Sequence, residues 1–186
     1  MRAIDERYTK ELRRSSLALH FLRRKVRTKT ICEWTHLSRG RVDKIRKAHR
    51  HEFPDVELTR PHGPSPKALG ELLKTPEGQC EAAALGGICK AFGIVPKEPM
   101  PDARRYLPSV TRGENLCCLH DAFCTLVPGA EITLEHLLWL SLALADGERR
   151  DIGRCECAAA ILVDPLDIER KRCFHCAEEH VPRRRR

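Results

Sequence analysis

Arg154-Cys155-Glu156-Cys157 and, after fifteen intervening residues, Cys173-Phe174-His175-Cys176 form two short-spaced thiol pairs, C-x-C and C-x-x-C. Zinc takes four soft ligands in a tetrahedron, and two such pairs brought together by a loop supply them. Between them, Ala158 to Val163 is a short apolar run suited to one strand, and Asp164-Pro165 turns the chain. The spacer has the length of a zinc ribbon or treble-clef-like knuckle. The expected ligands are Cys155, Cys157, Cys173 and Cys176, with His175 or His180 able to replace one of the thiols. A four-cysteine site is closed to water, so it reads as structural rather than catalytic. Its binding energy then serves as folding energy for the tail, on the order of 10 kcal/mol. Two other readings compete. One is reduced free cysteines in a small core. The other is a redox pair at Cys173 and Cys176, which expects a helix start in a βαβ setting that this stretch lacks.

The 186 residues suffice for one helical domain, residues 1–150, and a small module with a basic tail, residues 151–186. Ten cysteines suit a secreted protein, yet Met1 to Arg7 is charged from the start. The longest apolar stretch, Ile132 to Ala145, is too short to span a bilayer and contains Glu135 and His136. The expectation is a cytoplasmic protein with no membrane contact, whose thiols stay reduced and whose clustered cysteines mean metal. Charge is unevenly spread. Residues 1–60 carry 17 basic and 8 acidic side chains, while residues 61–150 carry 9 and 11. The last 36 residues carry 8 and 7, and four of those eight are Arg183 to Arg186. Basic ends around a near-neutral middle suit a polyanion, most often nucleic acid; the alternative is a solvated basic surface.

Ile4, Tyr8, Leu12, Leu19, Leu22 and Val26 predict one long amphipathic helix. A short helix follows from Thr28–Thr30 to near Thr35. Leu37 then tucks under a turn, and Ser38 is a good N-cap for the next helix. Val42, Ile45 and His49 mark that helix's inner face, leaving Arg39, Arg41, Lys44 and Lys47 outward. This is the layout of a helix-turn-helix, whose second helix presents its first residues to the major groove. Ser38, Arg39, Arg41, Lys44 and Lys47 are the candidate DNA contacts, arginine being the favoured reader of guanine and a phosphate ligand. A plain helical hairpin with a charged face is the competing reading.

Phe53 to Pro66 is a proline-rich loop, suited to an arm over another subunit. Ser65-Pro66 and Thr75-Pro76 are helix starts, with Leu69, Leu72 and Leu73 on the first helix. Ala82 to Phe92 reads as a helix of small residues, where Gly86-Gly87 marks either close packing or a break. Val95 to Pro101 is a linker. Thr111 to Glu114 fits a capping box opening a helix with Leu116, Leu119, Phe123 and Leu126. Cys117, Cys118, His120 and Cys124 share that helix, and one helix cannot place four ligands around one metal, so a core role is expected. Cys32, Cys80 and Cys89 read the same way. Thr133 caps a last helix, Leu134 to Ala145, apolar on nearly all sides and ended by Asp146-Gly147. Such a helix is either central or part of a subunit interface. Enzyme signals are weak: there is no Gly-rich phosphate loop, no nucleophile elbow, and no His-x-Glu ahead of the cysteine pair as a deaminase needs, which leaves a zinc hydrolase or deaminase the least favoured reading.

Taken together, Thr35-x-Leu37-Ser38-Arg39-Gly40-Arg41-Val42 with Lys44-Ile45, and Trp139 sixteen residues before Cys155 with the second cysteine pair after it, resemble the bacterial flagellar transcriptional activator FlhC family. The resemblance implies a mostly helical protein with a four-cysteine zinc site. It also implies a hetero-oligomer with the small helical protein FlhD that binds flagellar promoters and activates RNA polymerase. Cys155, Cys173 and Cys176 fall on that family's zinc-ligand positions. The fourth departs from it: the family writes C-x-x-C where this chain has Ala158, with Cys157 one residue early. A zinc-ribbon protein associated with RNA or the ribosome is the alternative, although RNA readers stack bases on aromatics and only nine aromatic residues occur here.

Overall fold

A computed structural model of the chain describes residues 2–53, 58, 72–147, 151–163, 172, 173 and 176. Its elements are α1 (Arg2–Arg23), α2 (Thr28–Thr35), α3 (Arg39–Glu52), a 3-10 turn (Leu72–Lys74), α4 (Pro76–Ala91), α5 (Ala103–Tyr106), α6 (Val110–Leu126), α7 (Leu134–Asp146), β1 (Asp151–Arg154) and β2 (Ala160–Val163). The protein is mainly helical, with the two strands paired antiparallel at its C-terminal end.

Short polar side chains set the helix starts. Ser38 accepts the amide of Arg41 at 3.3 Å, and Thr75 accepts that of Gly78 at 3.1 Å, with Pro76 at the first helical position. Thr133 and His136 form a reciprocal box, each side chain bonded to the other's backbone N–H at 3.2 and 3.3 Å. Gly147 closes α7 in the left-handed region at φ 68°. The expected box at Thr111–Glu114 is displaced. Ser109 is extended and caps α6 through the amide of Arg112, so the helix starts at Val110. Glu114, now inside the helix, reaches across to Arg13 of α1 instead.

Helix α7 is central. Leu134, Leu137, Leu138, Leu140 and Ala145 are each at most 1% exposed. Helices α4, α5 and α6 and strand β1 pack around it. Its leucines are buried within the chain, while His136, Trp139, Ala143 and Asp146 form a half-buried stripe along one face. Helix α4 is continuous through its paired glycines. A Cβ on Gly86 would lie 2.8 Å from Ile152 Cδ1 and 2.9 Å from Leu144 Cδ1, so this glycine lets α4 approach both α7 and the hairpin. Lys90 of α4 is also ion-paired to Asp151. The hairpin beyond the expected boundary at 150 therefore lies directly on the helical core.

Helices α1, α2 and α3 enclose Phe21, Val26, Ile31, Trp34 and Val42, none more than 1% exposed. The periodic stripe of α1 divides in two. Leu17, Ala18, Phe21 and Leu22 are buried, whereas Tyr8 and Leu12 are 69% and 56% exposed, because the packed elements cover only the C-terminal half of the helix. Leu126 is likewise exposed at the end of α6. Leu72 is in the 3-10 turn and Leu58 is buried, while the expected helix start at Ser65-Pro66, Leu69 and most of the arm lie outside the described residues.

Two charged side chains are buried among the described residues, Arg46 and Glu135. Glu135, 4% exposed, accepts from Arg27 Nη1 at 2.9 Å and from Thr30 Oγ1 at 3.2 Å. Burial pushes its carboxyl above the ordinary value of 4.5, and Arg27 opposes that shift. Ionising this raised carboxyl therefore costs stability as pH rises from the ordinary value through the folded one. Arg27→Met leaves the charge without its guanidinium and is expected to cost about 3 kcal/mol at neutral pH by denaturant unfolding. The loss shrinks below the ordinary carboxylate range, where Glu135 is protonated; a pH-independent loss contradicts this account. Gly86→Leu is expected to cost about 1–3 kcal/mol through overpacking against Leu144 and Ile152.

Candidate metal centre

The hairpin pairs Asp151 with Val163, Ile152 with Leu162, Gly153 with Ile161 and Arg154 with Ala160. Its turn begins at Cys155, whose N–H donates to the Ala159 carbonyl at 2.9 Å, and the Ala158 N–H donates back to the Cys155 carbonyl at 2.9 Å. Ala158 takes the left-handed region, φ 69°. That one residue folds the turn tightly enough for a C-x-C spacing to present both thiols together. The strain for a non-glycine residue there is about 1 kcal/mol.

Cys173 and Cys176 complete the group. The four sulfurs of Cys155, Cys157, Cys173 and Cys176 all lie within 4.8 Å of one another, and those of Cys157 and Cys173 are 3.5 Å apart. A tetrahedral zinc with bonds of about 2.3 Å sets sulfur–sulfur edges of roughly 3.8 Å. A disulfide needs about 2.05 Å, and all ten cysteines are free thiols. The donor set thus fits a thiophilic ion, and it is the one such cluster of three or more ligands among the described residues. Cys157 occupies the fourth corner; His175 and His180 lie outside the described residues.

The electrostatics favour a cation. The Cys173 N–H donates to Cys155 Sγ at 3.2 Å. That amide, followed by the amide of Cys157, holds the Cys155 thiol down at about 6. Cys176 is pushed up to about 12 by the sulfurs of Cys157, Cys173 and Cys155 around it. Four thiolates this close repel one another, and a divalent ion removes that cost.

The remaining cysteines divide. Cys89 and Cys117 are buried as expected, and burial pushes the Cys89 thiol up to about 12. Cys80 and Cys118 are exposed rather than in the core, and Cys32 and Cys124 are half-buried. Sequence reasoning missed the place of Cys80: it lines a small cleft with Arg172 and Cys173, beside the sulfur cluster. No motif relates it to that site, because only the docking of α4 on β2 brings it there. His120 is a core histidine, its Nε2 3.0 Å from the Ile132 carbonyl.

The candidate nucleic-acid residues share one helix start. Helix α2 ends at Thr35 and α3 begins at Arg39, linked by His36, left-handed at φ 56°, buried Leu37 and the cap Ser38. Arg39, Arg41, Lys44 and Lys47 are exposed, while Val42 and His49 face inward. Arg46 turns inward to Asp43 and Thr28. Arg41 alone of the four exposed cations has an ion pair among the described residues, with Glu11 of α1 at 3.6 Å.

Fold and site define a mainly helical protein with a C-terminal four-cysteine cluster placed to bind a metal ion. Compared with protein-family models, curated proteins and solved structures, the chain matches none. Among the described residues no helix is long and apolar enough to cross a membrane.

Cys157→Ser is expected to lower the metal bound per chain, read by elemental analysis, from about one to a small fraction. His180→Ala is expected to leave it unchanged, and the reverse pattern removes Cys157 from the ligand set. Ala158→Gly relieves the left-handed strain and is expected to raise the melting temperature of the metal-loaded protein.

Proposed function

We propose that this protein is a DNA-binding transcriptional activator subunit, resembling FlhC, that holds zinc in its four-cysteine cluster. It acts in the cytoplasm with an FlhD-like partner in a hetero-oligomer, recruiting RNA polymerase at flagellar-type promoters. The observation that carries this reading is the start of α3. Four cationic side chains, Arg39, Arg41, Lys44 and Lys47, stand exposed on a helix joined to α2 by a three-residue turn and capped by Ser38. A helix entering the major groove uses its first residues on base edges and phosphates, and arginine suits both. The flanking buried residues supply rigidity: Trp34, Leu37 and Val42 hold the two helices together.

Zinc is favoured by the donor set, since four thiols at tetrahedral spacing select soft, closed-shell ions. Four protein ligands leave no open position for water, which supports a structural metal and a role without catalysis. The half-buried stripe of α7 that carries Trp139, together with the proline-rich arm, is the partner's seat in this reading. The FlhC resemblance carries the partner, the polymerase and the promoter class, and its specific parts are Leu37–Lys47 and Trp139–Cys176.

Arg39→Ala is expected to weaken binding to a flagellar-type promoter fragment by about 1–3 kcal/mol, with unchanged melting temperature. Lys47→Ala is expected to weaken all duplexes alike and to lower the salt slope by about one. Promoter affinity that ignores both substitutions removes α3 from the DNA surface. Tighter binding to single-stranded RNA than to duplex supports the RNA-associated alternative instead.

A further inference from the structure

The exposed N-terminal half of α1 adjoins the proposed recognition helix. Glu11 Oε1 lies 3.6 Å from Arg41 Nη2, and the two side chains are 46% and 51% exposed. On a helix, residues three and four apart share a face, one turn or about 5 Å along the axis. Arg7 and Arg14 therefore flank Glu11 on the side of α1 that meets Arg41. Neither has an ion-pair partner among the described residues, and Arg39, Lys44 and Lys47 also have none. The neighbouring acids are otherwise engaged. Glu6 holds Lys10 at 2.6 Å, and Asp43 holds Arg46 at 2.6 Å. Among the described residues Glu11 is thus the one carboxylate paired with a cation that the DNA reading needs.

We infer that α1 and α3 form one continuous phosphate-binding surface, in which Arg7 and Arg14 contact the backbone of duplex DNA and Glu11 is the internal counter-ion that a DNA phosphate displaces from Arg41. The inference rests on the DNA-binding reading above and extends it to a second helix. Glu11 opposes binding twice: it occupies Arg41, and it repels the incoming phosphate. Its pairing with Arg41 is exposed and weak, so it lowers affinity for every duplex without stabilising the fold appreciably. Arg7 and Arg14 neutralise phosphates beyond the groove that α3 enters, which adds affinity and salt dependence and no sequence preference.

The test uses the full-length, metal-loaded chain and a labelled random-sequence duplex of roughly 30 base pairs, because the backbone term is independent of sequence. Anisotropy is read across a salt series. Glu11→Gln is expected to tighten binding on the order of threefold at low salt. In an Arg41→Ala background less than half of that gain remains. Arg7→Ala with Arg14→Ala is expected to lower the slope of log affinity against log salt by about two. Melting temperatures verify that each variant is folded. Unchanged affinity in Glu11→Gln, an equal gain without Arg41, or an unchanged slope in the α1 double variant overturns the inference while leaving α3 as the DNA element. Failure of the wild-type chain to bind the duplex at any salt, both alone and co-expressed with an FlhD-like partner, overturns the inference and the DNA-binding reading together.

Discussion

Helix α7 buries its leucines on most of its circumference, leaving only a half-buried stripe of His136, Trp139, Ala143 and Asp146, and the remaining elements answer that requirement. Its leucines are covered on several sides by α4, α6, the short α5 and strand β1. A buried position cannot rely on solvent to satisfy a charge, and the buried carboxylate of α7, Glu135, is met by Arg27 and Thr30 from the start of α2. That contact ties the three N-terminal helices to the central one across 108 residues of sequence. The α2–α3 unit and the cysteine cluster are thus both referred to one buried rod, although they share no side chain.

The sulfur cluster poses the opposite problem. It gathers groups that repel when ionised, close to the surface, on a hairpin of two four-residue strands. A hairpin of that size is marginal alone in water. Here it is held from two directions: Ile152 rests on Gly86 of α4, and the turn is gathered by thiols arriving from Cys173 and Cys176. The backbone supplies part of the charge stabilisation in advance, through the amide that Cys173 directs at Cys155.

Much of this was legible in local chemistry. The ends of α3, α4 and α7 follow from Ser38, Thr75-Pro76, Thr133 and Gly147, because a cap is decided within a few residues. The two thiol pairs were legible for the same reason, and so was the outward set of Arg39, Arg41, Lys44 and Lys47. What escaped depends on tertiary neighbours. Tyr8 and Leu12 obey the same periodicity as Leu19 and Leu22, and only the extent of the packed elements leaves the first two exposed. Glu114 suits a box in sequence, but Ser109 takes the cap and Arg13 takes the carboxylate. Cys157, one residue early for the usual knuckle, joins its partners through a left-handed alanine that no spacing rule anticipates.

The contact between Gly86 and Ile152 makes the hairpin's state a property of the whole molecule. An ion held by the four sulfurs stabilises a strand that lies on α4 and α7, so ion activity and global unfolding are linked. Each tenfold rise in free ion above its dissociation constant adds about 1.4 kcal/mol to the folded state. Loss of a bound ion would withdraw that increment from the central rod and raise the fraction of opened chains. Binding at this small surface hairpin would thus be coupled to the opening of the whole chain rather than of the hairpin alone.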